Sequence, residues 1–217
     1  NNKAFFDANR NIYDNDLVSP ARALVTELSE FLAQLQPDLR TEPKFNVTLM
    51  RLNNDLRFSK GDPYKTYFLI HFGRFKMDSE FYIYLDKNGV SIGVFINQSK
   101  GENFFFRQNL KDYREEFAGI CNKNKINSKY TLSKIAKVPE VLAAKFNAAK
   151  HAGIMTQHQY ILLEKQFPLK HKVCTSSALL TEAVKIFSQL YPVYCFSIST
   201  DPVRKIEQFE NTLGIPS

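Results

Sequence analysis

The stretch Phe81-Tyr82-Ile83-Tyr84-Leu85-Asp86-Lys87-Asn88-Gly89-Val90-Ser91-Ile92-Gly93-Val94-Phe95-Ile96 decides the fold class. Apolar residues recur at alternate positions on both sides of Asn88-Gly89, the period of a pleated strand whose side chains point to opposite faces in turn. Asn-Gly tolerates positive φ at both positions and predicts a two-residue type I′ turn. That turn sets Leu85 against Ile92, Ile83 against Val94 and Phe81 against Ile96, so one side of the hairpin is wholly aliphatic or aromatic. Tyr82, Tyr84 and Phe95 take the other side. Residues 66–73 alternate similarly, with Phe68, Ile70 and Phe72 opposite Tyr67, Leu69 and His71. Further upstream, Phe45, Val47 and Leu49 share a face against Asn46 and Thr48, which reads as a half-buried strand over 45–52. Together these predict an antiparallel sheet of about four strands.

Outside this sheet the period becomes helical. Residues 3–14 read as a short helix, and Ser19-Pro20 supplies an N-cap with Pro at the first helical position of the next. That helix carries Leu24, Leu28, Phe31 and Leu35 at 4-3-4 spacing and stops at Pro37. After Gly101 the same spacing recurs in Phe106, Leu110, Tyr113 and Phe117. A strand is expected over 129–135, a helix from Pro139 closed by Gly153, and a short strand at 160–163. Helices over 177–190 and 202–212 follow, the last opened by Thr200-Asp201-Pro202 and closed by Gly214. No repeat, low-complexity tract or long Gly/Ser linker interrupts the order. The expectation is one α+β domain over residues 1–217, a mainly antiparallel sheet with helices packed on one face.

Composition agrees with a globular class. The chain has 217 residues, 44% hydrophobic and 24% charged, too ordinary for a disordered or fibrous protein. Its length allows about 70% of the unfolded surface to be buried, without a metal or disulfide staple. No run approaches the roughly 18 apolar residues of a membrane span. Asn1-Asn2-Lys3 carries neither an initiator Met nor a signal-peptide apolar region. Cys121, Cys174 and Cys195 are odd in number and lack CxxC spacing, which suits a reducing compartment and points to the cytoplasm.

The net charge of +7 is unevenly placed. Residues 121–175 hold ten lysines against Glu140 and Glu164. A Lys-rich stretch of this kind meets phosphate backbones through counterion release, or simply forms a solvated face. Eight of the nine arginines lie before residue 121, so bidentate anion chemistry belongs to the first half.

The densest polar constellation is Arg51-Leu52-Asn53-Asn54-Asp55-Leu56-Arg57-Phe58-Ser59-Lys60-Gly61-Asp62-Pro63-Tyr64-Lys65. If the alternation of the preceding strand continues, Arg51 follows Phe45, Val47 and Leu49 toward the core, with Asn53 and Asp55 behind it. A guanidinium there requires a partner, because an unpaired buried charge costs several kcal/mol. Two readings satisfy it. In one, Arg51 and Arg57 grip a phosphate or carboxylate, Lys60 and Lys65 add positive charge, and Asn54 and Tyr64 add polar contacts. In the other, an Arg–Asp network through Asp55 holds a long loop against the sheet.

The same stretch carries a resemblance. Arg51, Asn54-Asp55-Leu56-Arg57-Phe58-Ser59 and Pro63-Tyr64-Lys65 resemble the signature of domain-of-unknown-function family 2461: an Arg, then Arg/Asn-Asp-x-Arg-Phe-Ser, then Pro-Tyr-Lys. Asn1-Asn2-Lys3-Ala4-Phe5-Phe6-Asp7-Ala8-Asn9-Arg10, with Tyr13, is similar to the family's start, with Phe5 where Trp is usual. Gly153-Ile154-Met155-Thr156-Gln157-His158 is a weaker match to the family's Gly-aromatic-x-x-Asp-His-Pro. The loop Lys60-Gly61-Asp62 is one residue shorter than usual, and Gln157 and Gln159 replace the Asp and Pro around His158. An acid–base role for His158 would therefore lack the orienting Asp. The resemblance spans nearly the whole chain and implies a single α+β domain with no settled reaction.

Other patterns are weaker. The histidines at 71, 151, 158 and 171 lack HExxH or Cys/His spacing, so no metal is expected, and no cofactor-binding Gly loop exists. Pro37-Asp38 with Glu42-Pro43-Lys44 mimics a nuclease pattern, yet short patterns of this kind recur by chance. Ser59 and Ser99 lack nucleophile-elbow glycines, and Cys174 has no evident base. Three functions remain. One is a site for an anionic small molecule on the 51–65 loop, with His71 or His158 as the acid–base group if the site is enzymatic. Another is a nucleic-acid module built on the 121–175 lysines. The third is a non-catalytic scaffold. The sequence leaves the reaction, the substrate and the oligomeric state open, and no membrane partner is expected.

Overall fold

The computed structural model describes residues 2–55, 61–99, 101–136 and 139–212. In chain order its elements are α1 (Lys3–Ala8), α2 (Arg10–Ile12), a π-helical turn (Tyr13–Val18), α3 (Ser19–Leu35), β1 (Tyr67–Phe72), β2 (Glu80–Asp86) and β3 (Gly89–Asn97). Then come α4 (Phe106–Asp112), α5 (Arg114–Lys123), β4 (Thr131–Ile135), β5 (Pro139–Ala143), α6 (Ala148–Met155), β6 (Tyr160–Pro168), α7 (Lys172–Thr175), α8 (Ala178–Ile198) and α9 (Pro202–Thr212). The strands form a six-stranded antiparallel sheet in the order β1-β2-β3-β6-β4-β5, so the class is α+β.

The hairpin that decides the class is present, with its turn moved by one residue. Phe81, Ile83, Ile92, Val94 and Ile96 are fully buried as expected, while Leu85, expected beside them, is half-buried and Tyr82, expected on the other side, is buried as well. The Asp86 carboxylate accepts hydrogen bonds from the Asn88 backbone N–H at 2.8 Å and from Asn88 Nδ2 at 3.0 Å. This local bond competes with the type I′ geometry and wins. Of the expected pair only Gly89 has positive φ, and the loop residues are Lys87-Asn88. A side chain at Gly89 would collide with the carbonyl of Phe167, so the glycine permits close approach to the β6 backbone.

Other expectations are corrected as well: Ser19 lies within α3, continuous with the π-helical turn, instead of capping it, and the helix from Phe106 breaks at Tyr113. Residues 45–52 are not a continuous strand: the Lys44 carbonyl accepts from the N–H groups of Val47, Thr48 and Leu49, and Asn46 adopts positive φ. Asn tolerates that conformation, so a tight turn replaces the first half of the strand. Pairing with β1 is confined to the neighbourhood of Leu49, through His71 N–H to the Thr48 carbonyl and Met50 N–H to the Leu69 carbonyl, both 2.9 Å. Pro139 opens a strand instead of a helix, pairing with Ile135 at the sheet edge where its missing N–H is tolerated. The helix begins later, at Ala148, capped by Asn147, whose side chain accepts from Lys150 N–H at 3.1 Å. Lastly, α8 runs through Pro192 to Ile198. An internal Pro costs about 3 kcal/mol. Leu190, Tyr191, Val193, Tyr194 and Phe196 around it are all buried, at roughly 1.5–3 kcal/mol each, so burial outweighs the break.

Two compact units can be distinguished, one of residues 1–74, 82–91 and 166–184, the other of residues 75–81, 92–165 and 185–217. In the first, α3 buries Val25, Leu28, Leu32 and Leu35, while Leu24 and Phe31 stay half-buried at the margin of the stripe. Tyr67 stacks on Tyr84 at 5.2 Å on the opposite side of the strands from Ile83. In the second, Phe106, Phe117 and Phe196 form a chain of edge-on contacts, and Phe81 packs on Phe187 and Tyr194 at 5.0 and 4.7 Å.

Candidate functional site

The 51–65 loop lies in the first unit, and the structure shows what closes it. Asn54 N–H donates to the Pro63 carbonyl at 2.9 Å, Lys65 N–H to the Leu52 carbonyl at 2.8 Å, and Asn53 bridges Tyr64. Two short antiparallel segments thus form the neck of the loop. Its side chains reinforce the neck. Asn54 Nδ2 donates to the Asp62 carbonyl at 2.8 Å, and Lys65 Nζ donates to the carbonyls of Arg51 at 2.9 Å and Asn53 at 2.6 Å. Burial lowers the Lys65 pKa, since an ammonium held against backbone is less hydrated than one in water.

Arg51 does not face the core. Its side chain is exposed, because the tight turn at 44–49 breaks the alternation that would have carried it inward. With the Asn46 amide turned so that its oxygen faces Arg51, that oxygen accepts from both Nε and Nη2 at 3.2 Å. Among the described residues no carboxylate pairs with this guanidinium. Asp55 is exposed and has partners of its own. Arg57 and Lys60 lie outside the described residues.

Tyr64 connects the loop to the start of the chain. Its ring stacks on Phe6 of α1 at 4.5 Å, and Phe6 meets Tyr13 edge-on at 5.3 Å. Burial, then the charge of Asp14, raises the Tyr13 pKa. Arg22 of α3 lies over the Phe45 ring at 5.7 Å, a cation–π contact next to the turn that supports Arg51. Two stretches that are far apart in sequence, 6–13 and the neighbourhood of Tyr64, are therefore neighbours in the first unit.

The histidines divide between the units. His71 is half-buried on β1 in the first. His158 is in the second, half-buried, and its carbonyl accepts from Gln98 Nε2 at 2.9 Å. His151 and His171 serve local structure, their Nδ1 atoms accepting from the backbone N–H groups of Asn147 and Val173. Among the described residues no group of three or more His, Cys, Asp and Glu is placed to hold a metal ion, and no helix is long and apolar enough to cross a membrane. Cys121 and Cys195 are buried, and burial pushes the Cys195 thiol up to about 12, so neither offers a thiolate. Of the 121–175 lysines, Lys123 pairs with Glu210 at 2.9 Å and Lys134 with Glu140 at 2.8 Å. Lys137 lies outside the described residues, and the others are distributed over several elements.

Sequence reasoning missed a cavity in the second unit. Its volume is about 360 Å³, and Arg107, Lys111 and Arg114 of α4 and α5 line it together with Leu110, Ala152 and Gly153. None of the three cationic side chains has a hydrogen-bonding or ionic partner among the described residues. The signal was three cations, Arg107, Lys111 and Arg114, interleaved with the apolar positions Phe106, Leu110 and Phe117.

Over residues 1–196 the chain matches the model of a family described as Conserved hypothetical protein (DUF2461). The chain belongs to this family. The match covers both family-like segments joined by the Phe6–Tyr64 stack, both candidate histidines and the cavity. Of the described elements, only α9 and the last residues of α8 lie beyond it. No curated protein and no solved structure matches the chain.

Proposed function

We propose that this family member binds a small anion, bearing phosphate or carboxylate, at Arg51 on the 51–65 loop. The observation that carries the reading is the state of that guanidinium: exposed, oriented by the neutral Asn46 amide, and with no described carboxylate to neutralise it. An amide oxygen fixes the fork without cancelling its charge, which leaves the remaining donors for a ligand.

The roles within the loop change accordingly. Arg51 is the anchoring residue, with Arg57 and Lys60 as further cations of the same loop. Lys65 and Asn54 are positioning residues, because their donors hold backbone carbonyls of the neck. Tyr64 positions the loop against Phe6. A charge-assisted contact of this type contributes about 1.5–3 kcal/mol, so losing Arg51 should weaken binding by roughly 10- to 100-fold.

Thermal-shift screening with phosphorylated metabolites and dicarboxylates tests the reading. A ligand that raises the Tm of the wild-type protein should leave Arg51→Ala unmoved, and Arg51→Lys should restore little because an ammonium lacks the planar fork. Stabilisation that survives Arg51→Ala contradicts it.

A further inference from the structure

We infer that the second unit carries a separate site for a small molecule bearing two phosphoryl groups, in the cavity between the Arg107, Lys111 and Arg114 face and Gly153 of α6. Arg107 and Lys111 of α4 and Arg114, the first residue of α5 beyond the non-helical Tyr113, line the same cavity, where like charges repel. Packing prevents α4 from rolling to separate them. Phe106 and Leu110 are buried, and Asn109 Nδ2 donates to the carbonyls of Phe196 at 2.9 Å and Ser199 at 2.7 Å. No acidic side chain lines the cavity, and the nearby Asp112 accepts from Gln108 at 2.6 Å.

Ala152 and Gly153 of α6 complete the lining, and a side chain built at Gly153 would enter open space, meeting nothing within 4 Å. At about 360 Å³ the cavity is at the lower end of small-molecule sites, which run from roughly 300 to 1,000 Å³. Three cationic side chains carry more charge than the roughly −1.5 to −2 of one phosphoryl group. Two arginines offer two bidentate forks with a lysine point charge between them, a pattern that suits two linked phosphoryl groups.

Calorimetric titration of the full chain at low ionic strength, with inorganic pyrophosphate, orthophosphate and a single-stranded oligonucleotide as probes, tests the site. Pyrophosphate should bind at least about tenfold more tightly than orthophosphate, and Arg107→Ala and Arg114→Ala should each weaken it by about tenfold. Gly153→Leu should abolish binding by filling the space while keeping every charge, and Gly153→Ala, a better helix former than Gly, should weaken it in a protein that remains folded. Arg51→Ala should leave pyrophosphate affinity unchanged, which separates this site from the loop. Unaltered pyrophosphate binding in Gly153→Leu, no preference over orthophosphate, or an oligonucleotide that outcompetes pyrophosphate and tolerates Gly153→Leu would each overturn the inference.

Discussion

The 51–65 loop and the α4–α6 cavity are both rich in cations, yet they use them differently. In the loop, the Lys65 ammonium holds two carbonyls of the neck, and Arg51 is braced by a neutral amide. In the cavity, Arg107, Lys111 and Arg114 have no described partner, and the holding is done from behind by the uncharged Asn109. Density of charge along the chain therefore says little about where a ligand can be held. What matters is which donors the fold leaves unengaged, and that depends on whether neutral groups can take over the structural work.

The largest effect expected from this contrast is at Asn109. Replacing it with Ala strips donors from two carbonyls packed against α4, and at about 1–3 kcal/mol per orphaned group the loss should be about 3 kcal/mol in chemical denaturation. By comparison Arg107→Ala, on the cation side of the same helix, should change stability by less than about 0.5 kcal/mol. Equal losses would erase the distinction between scaffold and free donors.

Lys65→Met should cost about 1 kcal/mol, since the ammonium is partly exposed, and should speed amide exchange at Asn54 and Lys65, whose N–H groups close the neck. A Phe6→Leu and Tyr64→Leu double-mutant cycle should give a coupling of about 0.5–1.5 kcal/mol if the stack ties the start of the chain to the loop. The smallest effect concerns pH. The Lys65 pKa is lowered in the folded state, so the unfolded chain holds that proton more tightly and stability rises as pH climbs toward the ordinary lysine value. Lys65→Met should remove that rise, and an unchanged alkaline profile would show that the ammonium is not desolvated.

Much of the fold was legible because periodicity reports burial directly. Most of the buried hairpin positions at 81–96, the inward positions Phe106, Leu110 and Phe117, and the start of α9 follow from spacing and capping, whereas Tyr113 of the same stripe is half-buried where α4 gives way to α5. The misreadings arose where one local bond or one neighbour outweighed the pattern. Asp86 moved the hairpin turn, the Lys44 carbonyl gathered the N–H groups that a strand would have aligned, and pairing with β4 made a strand of the segment after Pro139. At the loop, the residue types were legible but their division of labour was not, because Lys65 and Asn54 reach carbonyls more than seven residues away. The cavity was hidden for a different reason. Between residues 107 and 116 three cations stand among three acids, so the local net charge is zero, and only the arrival of Ala152 and Gly153 beside them creates a concave basic surface.

The most direct measurement is of the arginine Nε–H resonances in the ¹⁵N spectrum during titration with phosphate, a dicarboxylate and pyrophosphate. Arg40 serves as the internal control, because its Nε donates to the Gly73 carbonyl at 3.2 Å. The expected result is saturable movement of Arg51 with phosphate or dicarboxylate and of Arg107 and Arg114 with pyrophosphate, while Arg40 stays in place. Uniform, non-saturating drift of all arginines, or movement of Arg40 ahead of Arg51, would contradict the claim that Arg51, Arg107 and Arg114 are where this protein holds anions.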